Sequence, residues 1–308
     1  MIELLIVIAI LAILASLLLS AMSQAKSRAH STACANNLRQ MQLASQLYTD
    51  DNGHRMPLNK DGMPSGYWQS VEGAWVVGNP KRNQNDENLR RGTLWPYVGT
   101  ARLYQCPGDH STVTGQPTLR RFRSYGLNFN LNGENTTGSA IGVAWWFDLQ
   151  GRETRVAADS SKLFGFMGVS EDSIDSGAFF FLFRFPPASA PWYWYHLPGQ
   201  RHAKGANLSY LDGRVEYHRW RFVPKTKKVS GPEPPANADD RRHAIWLLKR
   251  TPFWQWLEAN PAVYPALLAE GANERDQISR HVPFDAPFSH VLIERCSKPG
   301  SRWKTTTP

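Results

Sequence analysis

Within RHAKGANLSYLDGRVEYHRW (residues 201–220), His202 is followed after nine intervening residues by Asp212 and Gly213. An imidazole and a carboxylate can ligate a metal, exchange protons as an acid–base pair, or lock a hairpin edge through a hydrogen bond. The hydrogen bond makes the fewest demands and takes precedence. Three cysteines, Cys34, Cys106 and Cys296, form a second set of candidate donors. None stands in a C-x-x-C pair, which argues against a zinc site. In an oxidising compartment Cys34 and Cys106 can form a disulfide and leave Cys296 odd, and two buried free thiols fit the sequence as well. Carboxylates also gather in Glu171-Asp172-Ser173-Ile174-Asp175-Ser176-Gly177. There Asp172 and Asp175, with Asp212 further on, are weak metal candidates. Asp50 and Asp51 form another acidic pair to which calcium is suited. Acidic loops ahead of strands and at helix ends are usually solvated, so no metal or cofactor is assigned.

The remaining residue of chemical interest is Glu3, the single charge in IELLIVIAILAILASLLLSAM, residues 2–22. A carboxylate just inside an apolar helix costs a few kcal/mol unless it reaches the headgroup layer or finds a cation. These 21 residues would span roughly 30 Å as a helix, the thickness of a bilayer's hydrocarbon core. No small-residue cleavage site of the secretory type ends the stretch, so it reads as a transmembrane helix. The helix is predicted to continue. Gln24 to Asp50 holds no Gly or Pro, and Leu38, Met41, Ser45 and Tyr48 recur at helical spacing, with Cys34 one turn earlier. Gly53 and then Pro57 supply the stop. One rod of about fifty residues and roughly 75 Å follows, apolar all round in its first half and amphipathic in its second. The second half needs a globular partner.

That partner is predicted to contain strands. Ala206, Leu208 and Tyr210 alternate, as do Val215 and Tyr217, and Asp212-Gly213 between them is a hairpin-turn signal. His202 falls just before the first of these strands. An aromatic strand is expected from Ala178 to Phe185. Trp145-Trp146 and Trp192-Tyr193-Trp194-Tyr195 could stack on sugars, although such residues more often pack a sheet or an interface. Pro224 to Asp240 reads as a linker or exposed loop. Beyond it, Trp254 to Glu270 reads as a helix broken by Pro261 and Pro265, followed by an irregular basic tail.

The 308 residues suffice for one membrane segment and one sizeable domain. Hydrophobic residues at 42% and charged residues at 20% argue against a disordered chain. The net charge of +9 admits an anionic partner. However, the basic residues are scattered (Lys26, Arg28, Arg90, Arg91, Arg120, Arg121, Arg123, Lys225, Lys227, Lys228) and no groove-reading motif accompanies them. They read as solvated surface, and nucleic acid is not expected. There is no Gly-rich phosphate loop, H-E-x-x-H or G-x-S-x-G, and no enzyme is expected.

IELLIVIAILAILA resembles the N-terminal methylation segment of type IV pilins and type II secretion pseudopilins. The resemblance implies that Glu3 pairs with the N-methylated amine of a neighbouring subunit and sets register during filament assembly. A carboxylate–ammonium pair suits lipid, where each charge alone would be costly. In the family a basic leader, a Gly and a tripeptide such as Phe-Thr-Leu precede the Ile-Glu, whereas here Met1 stands directly before Ile2. The resemblance therefore implies a precursor with a leader for prepilin peptidase. It also implies a cytoplasmic N-terminus, although Lys26 and Arg28 flank the far end of the helix. Thr49 to Pro57 resembles the family's helix-to-domain junction. Cys106-Pro107-Gly108-Asp109 and Ser124-Tyr125-Gly126-Leu127-Asn128 look like segments of a large pilin-like subgroup. The His202 to Gly213 spacing is that of the H-X9-DG module found with such N-termini. Ile245 to Thr251 resembles the short helix with which members commonly finish, so the resemblance covers roughly residues 1–251.

The resemblance implies an α+β fold, a long N-terminal transmembrane and amphipathic α-helix packed on an antiparallel β-sheet. Residues 1–23 would be the membrane segment, 24–53 its amphipathic extension and 54–223 a β-rich domain carrying the module at 202–213. Residues 224–252 would be a linker and short helix, and 253–308 an extension of unassigned role. The implied function is a structural subunit of a pilus or pseudopilus, anchored in the bacterial inner membrane with an extracytoplasmic domain. Its partners would be other pilin or pseudopilin subunits, the assembly platform, prepilin peptidase and the lipid bilayer. Two alternatives are a membrane-anchored glycan-binding or glycan-degrading domain using the Trp/Tyr clusters, and a DNA-uptake minor pilin using the basic surface.

Overall fold

The computed structural model describes residues 2–135, 160–182, 193–221 and 237–251, with Trp254 and Glu258. Trp145-Trp146, Trp192, residues 224–236 of the expected linker, Cys296 and nearly all of 253–308 lie outside the described residues. In chain order the first elements are α1 (Ile2–Asp51), β1 (Asn59–Gly62), β2 (Gln69–Ser70), α2 (Glu87–Arg90), α3 (Trp95–Val98), β3 (Thr112–Val113), β4 (Gln116–Arg120) and β5 (Tyr125–Asn128). There follow β6 (Gly133–Asn135), β7 (Phe164–Gly168), β8 (Ala178–Phe179), β9 (Phe181–Leu182), β10 (Tyr193–Trp194), β11 (Gly205–Tyr210), β12 (Val215–Arg219) and α4 (Ala238–Leu248).

Helix α1 is one unbroken element of 50 residues, about 75 Å long. No Gly or Pro interrupts it before Gly53, which takes φ +64° and ends it, with His54 also left-handed at φ +59°. The two halves of the helix differ. Ile6, Ile10, Ile13, Leu14 and Leu17 to Leu19 are all at least half exposed, whereas Cys34, Leu38, Met41, Gln42, Ala44 and Ser45 are buried. Tyr48 is half-buried and packs edge-on against Tyr97, with centroids 5.7 Å apart.

The buried stripe lies on a five-stranded sheet of order β12-β11-β7-β5-β8. Tyr125, Leu127 and Phe166 join Cys34, Leu38 and Met41 in one core, with Trp75, Tyr104 and Cys106 from the loops. Alternation turns Met167, Ala206, Leu208 and Tyr210 to the other face, and an irregularity in β7 opposite Leu208–Tyr210 brings Phe164 to the same side, where Ala244 to Leu248 of α4 cover them. The sheet therefore separates two helical layers. Its α1 face also carries polar ties. Asn207 donates to the Ser31 carbonyl at 2.9 Å, Ser209 Oγ to Gln42 Oε1 at 3.0 Å, and Gln46 to the Leu211 carbonyl at 2.7 Å. Gly165 on β7 makes room for Gln42, because a Cβ there would collide with its amide oxygen.

Three expectations need correction. The sheet is mixed: β8 pairs parallel with β5, while the other ladders in this sheet are antiparallel. The nine residues between β7 and β8 pass over β5, and a returning strand that lands beyond its neighbour runs parallel to it. On β12 the fully buried position is His218, with Trp220 just beyond, while Val215 is half-buried against the α1 core and Tyr217 is exposed. The register decides this, since Ala206 lies opposite His218, and directly opposed residues share a face. Finally, the expected linker is helical at its end. Asn237 caps α4 by accepting from Asp240 N, and Asp240 is buried against Trp194.

Candidate functional site

The H-X9-DG spacing measures out one strand. His202 sits in the turn before β11, and Asp212-Gly213 sits in the turn after it. Six residues of extended chain separate them by about 20 Å, so they cannot form an acid–base pair or share a metal. At the far end, Gly213 takes φ +88° and its N–H donates to the Tyr210 carbonyl at 2.9 Å. Asp212 Oδ1 accepts from Arg214 N at 2.9 Å, which is ordinary hairpin chemistry. At the near end, the backbone of His202 bridges Gly205 across Ala203 and Lys204, both left-handed at φ +48° and +65°. Two consecutive non-glycine residues in that region store strain of about 1–2 kcal/mol each.

The turn delivers the His202 side chain inward, where it is 3% exposed. Its Nε2 lies 3.2 Å from Cys106 Sγ, while Nδ1 has no hydrogen-bond partner among the described residues. The ring rests against Gly108, where a Cβ would stand 3.3 Å from Cε1. Cys34 reaches the same place from α1. The donor atoms of Cys34, Cys106 and His202 lie within 4.8 Å of one another, the only such group of His, Cys and carboxylate donors among the described residues. Both cysteines are free thiols in this structure.

A polar frame holds the cluster. Ser124 Oγ accepts from Cys106 N at 3.1 Å and donates to Asp109 Oδ2 at 2.6 Å. Arg201 Nη2 lies 3.1 Å from both Asp109 Oδ2 and Glu171 Oε2. The Tyr125 hydroxyl donates to Cys34 Sγ at 3.3 Å. A hydrogen bond from Cys106 lowers Cys34 to about 7 against the opposing effect of burial, with Tyr125, Asn207 and Arg201 assisting. The same bond and burial push Cys106 well above the ordinary thiol range. The pair thus gives up its first proton more readily than its second.

The acidic loop departs from its expected solvated state. Asp172 is exposed, but Ser173, Asp175 and Ser176 are buried. Asp175 Oδ1 lies 2.8 Å from His196 Nε2, and His196 Nδ1 accepts from Phe180 N, so both ring nitrogens are occupied structurally. Asp61 accepts from Ser70 and Ser176 at 2.7 and 2.8 Å, and burial raises its carboxyl above the usual range. Arg123, expected at the surface, is fully buried beside this network and over Trp75. The weak metal candidates are therefore dispersed, with Asp172 outside, Asp175 on His196 and Asp212 in its turn. Asp50 and Asp51 are exposed at the end of α1. Trp194 cannot serve as a sugar platform, since it is 1% exposed and its Nε1 donates to Asp240 at 2.9 Å. The expected aromatic strand is broken at Phe180 into β8 and β9.

The sequence suggests Cys34 with Cys106 and His202 with Asp212 as pairs. The trio that meets in space spans three separate segments, and no spacing rule links them. The one usable signal was that Cys34 shared the helical stripe with Leu38 and Met41 and so faced the core. The helix with the exposed apolar half is long and apolar enough to cross a membrane. Glu3 lies in its first turn. Comparison with protein-family models, with curated proteins and with solved structures gives no match.

Proposed function

We propose that the chain is a structural subunit of a type IV pilus or type II secretion pseudopilus, held in the inner membrane before assembly. The observation that carries this reading is the division of α1. Leu17, Leu18 and Leu19 follow one another at about 100° around the axis and are 62%, 64% and 70% exposed. A core-facing helix shows an apolar stripe, whereas this half is apolar on every side. Such a surface calls for an apolar surrounding all round, either lipid or a bundle of like helices. Its outer half is already occupied by the sheet, so the head rides at one end of the rod as a filament subunit requires. In this reading Glu3 pairs with the amino terminus of the neighbouring rod and fixes the stagger between subunits.

The test is assembly of the leader-bearing precursor in cells that supply prepilin peptidase and an assembly platform. Wild-type chain should appear in the sheared filament fraction. Glu3→Gln should reduce that fraction at least about tenfold, since loss of one buried ion-pair partner leaves the other uncompensated. It should leave the membrane-bound pool intact. Equal filament yields from the two chains would remove the register role from Glu3.

A further inference from the structure

We propose that Cys34, Cys106 and His202 form a buried site for a thiophilic divalent cation, with zinc(II) as its expected occupant. Three features carry the assignment. The first is the donor set: two thiols and an imidazole are the ligands zinc prefers, and all three are at most 3% exposed. The second is geometry. Tetrahedral zinc, with bonds of roughly 2.3 Å to sulfur and 2.0 Å to nitrogen, separates its ligand atoms by about 3.5–3.8 Å. The three donor atoms here already lie within 4.8 Å of one another, with Cys106 Sγ and His202 Nε2 at 3.2 Å, so small rotations suffice. The third is the state of His202. A strained turn drives it inward, yet among the described residues its ring has the Cys106 sulfur as its one hydrogen-bonding contact, and Nδ1 finds no partner.

A disulfide between the two cysteines would leave that imidazole without a task. A zinc ion gives it one, and two thiolates with one dication sum to no net charge in a buried place. Three protein ligands leave one coordination position for water or a small anion. The site would clamp α1 to the loop after α3 and to the turn before β11, three segments far apart in sequence. It is independent of the filament reading, because it lies in the head half of the rod.

The experiment uses the full chain in detergent, fully reduced and freed of metal, then titrated with zinc(II) and in parallel with cobalt(II). One equivalent should bind. The cobalt form should show thiolate-to-cobalt charge-transfer absorption, and zinc should protect Cys34 and Cys106 from alkylation as read by peptide mass. Cys34→Ser, Cys106→Ser and His202→Asn should each weaken binding by about 100-fold or more, a ligand mattering at least as much as its outer-shell supports. Protection and absorption in the wild-type chain do not depend on any variant folding. Unchanged alkylation with zinc and no charge-transfer band would overturn the proposal. So would the same result in chain first recovered from cells with a Cys34–Cys106 disulfide and then reduced.

Discussion

At the scale of residues, backbone conformation sets the hairpin after β11, while side chains from three distant segments build the Cys34–Cys106–His202 cluster. Asp212-Gly213 announced its own hairpin, because positive φ at the turn is a local requirement that glycine meets cheaply. Gly213→Val should therefore cost about 1–2 kcal/mol in urea unfolding of the full chain in detergent, through the strained φ that Val must adopt. An unchanged midpoint would mean the turn relaxes freely. His202 was placed correctly just ahead of β11, but its partner was not visible. Cys106 stands 96 residues away, and only the completed sheet brings them to 3.2 Å. Arg123 was misassigned to the surface for a related reason. An arginine in a basic stretch such as Arg120-Arg121-Phe122-Arg123 looks solvated, and the acidic residues that oppose the cost of its burial, Asp61 and Asp175, come from distant segments.

At the scale of elements, periodicity carried the second half of α1 and strand β11, where one face is buried along the whole stretch. It failed for the short strands. Two-residue elements such as β8 and β10 hold too few positions to show any period, and parallel pairing of β8 with β5 depends on a crossover. Element α4 shows what register alone decides. Its Trp246 stacks on His218 with centroids 3.6 Å apart, and His218 Nε2 lies 3.1 Å from His243 Nδ1. Because His243 Nε2 accepts from Arg221 N, its proton sits on Nδ1 and is donated to His218, so both rings are neutral. Burial first, then the neighbouring His243 and Arg250, hold His218 down at about 2. Burial, with Arg221 and Arg242, holds His243 down at about 4 despite Asp239. In the unfolded chain both titrate near 6.5. As pH falls below that value the unfolded state takes up protons that the folded state refuses, so stability present above about 6.5 is progressively lost toward 4. Hydrogen exchange over Ala238–Leu248 should accelerate relative to β7 between pH 6.5 and 5, above the range where carboxylates contribute. His218→Phe, which keeps a ring on Trp246, should flatten that slope by about one proton. A pH-independent ratio across this window would show that the histidines are not buried as described.

At the scale of the whole molecule, the legible part was the division of labour: a rod, apolar then amphipathic, and a head built on its outer half. Composition and helical spacing suffice for that, because they report where each face must go. How the head closes on the rod was not legible, since the polar ties of Asn207, Ser209 and Gln46 join residues more than 160 positions apart. The central claim is that the bare half of α1 is covered by the same half of other copies. It is tested most directly by placing a photo-cross-linking residue at Leu14, 51% exposed on the bare rod, in cells carrying the assembly machinery. Irradiation should convert monomer into a ladder of dimers and higher multimers of this chain, through that position. Products containing lipid or monomer alone, with assembly machinery present, would contradict the account.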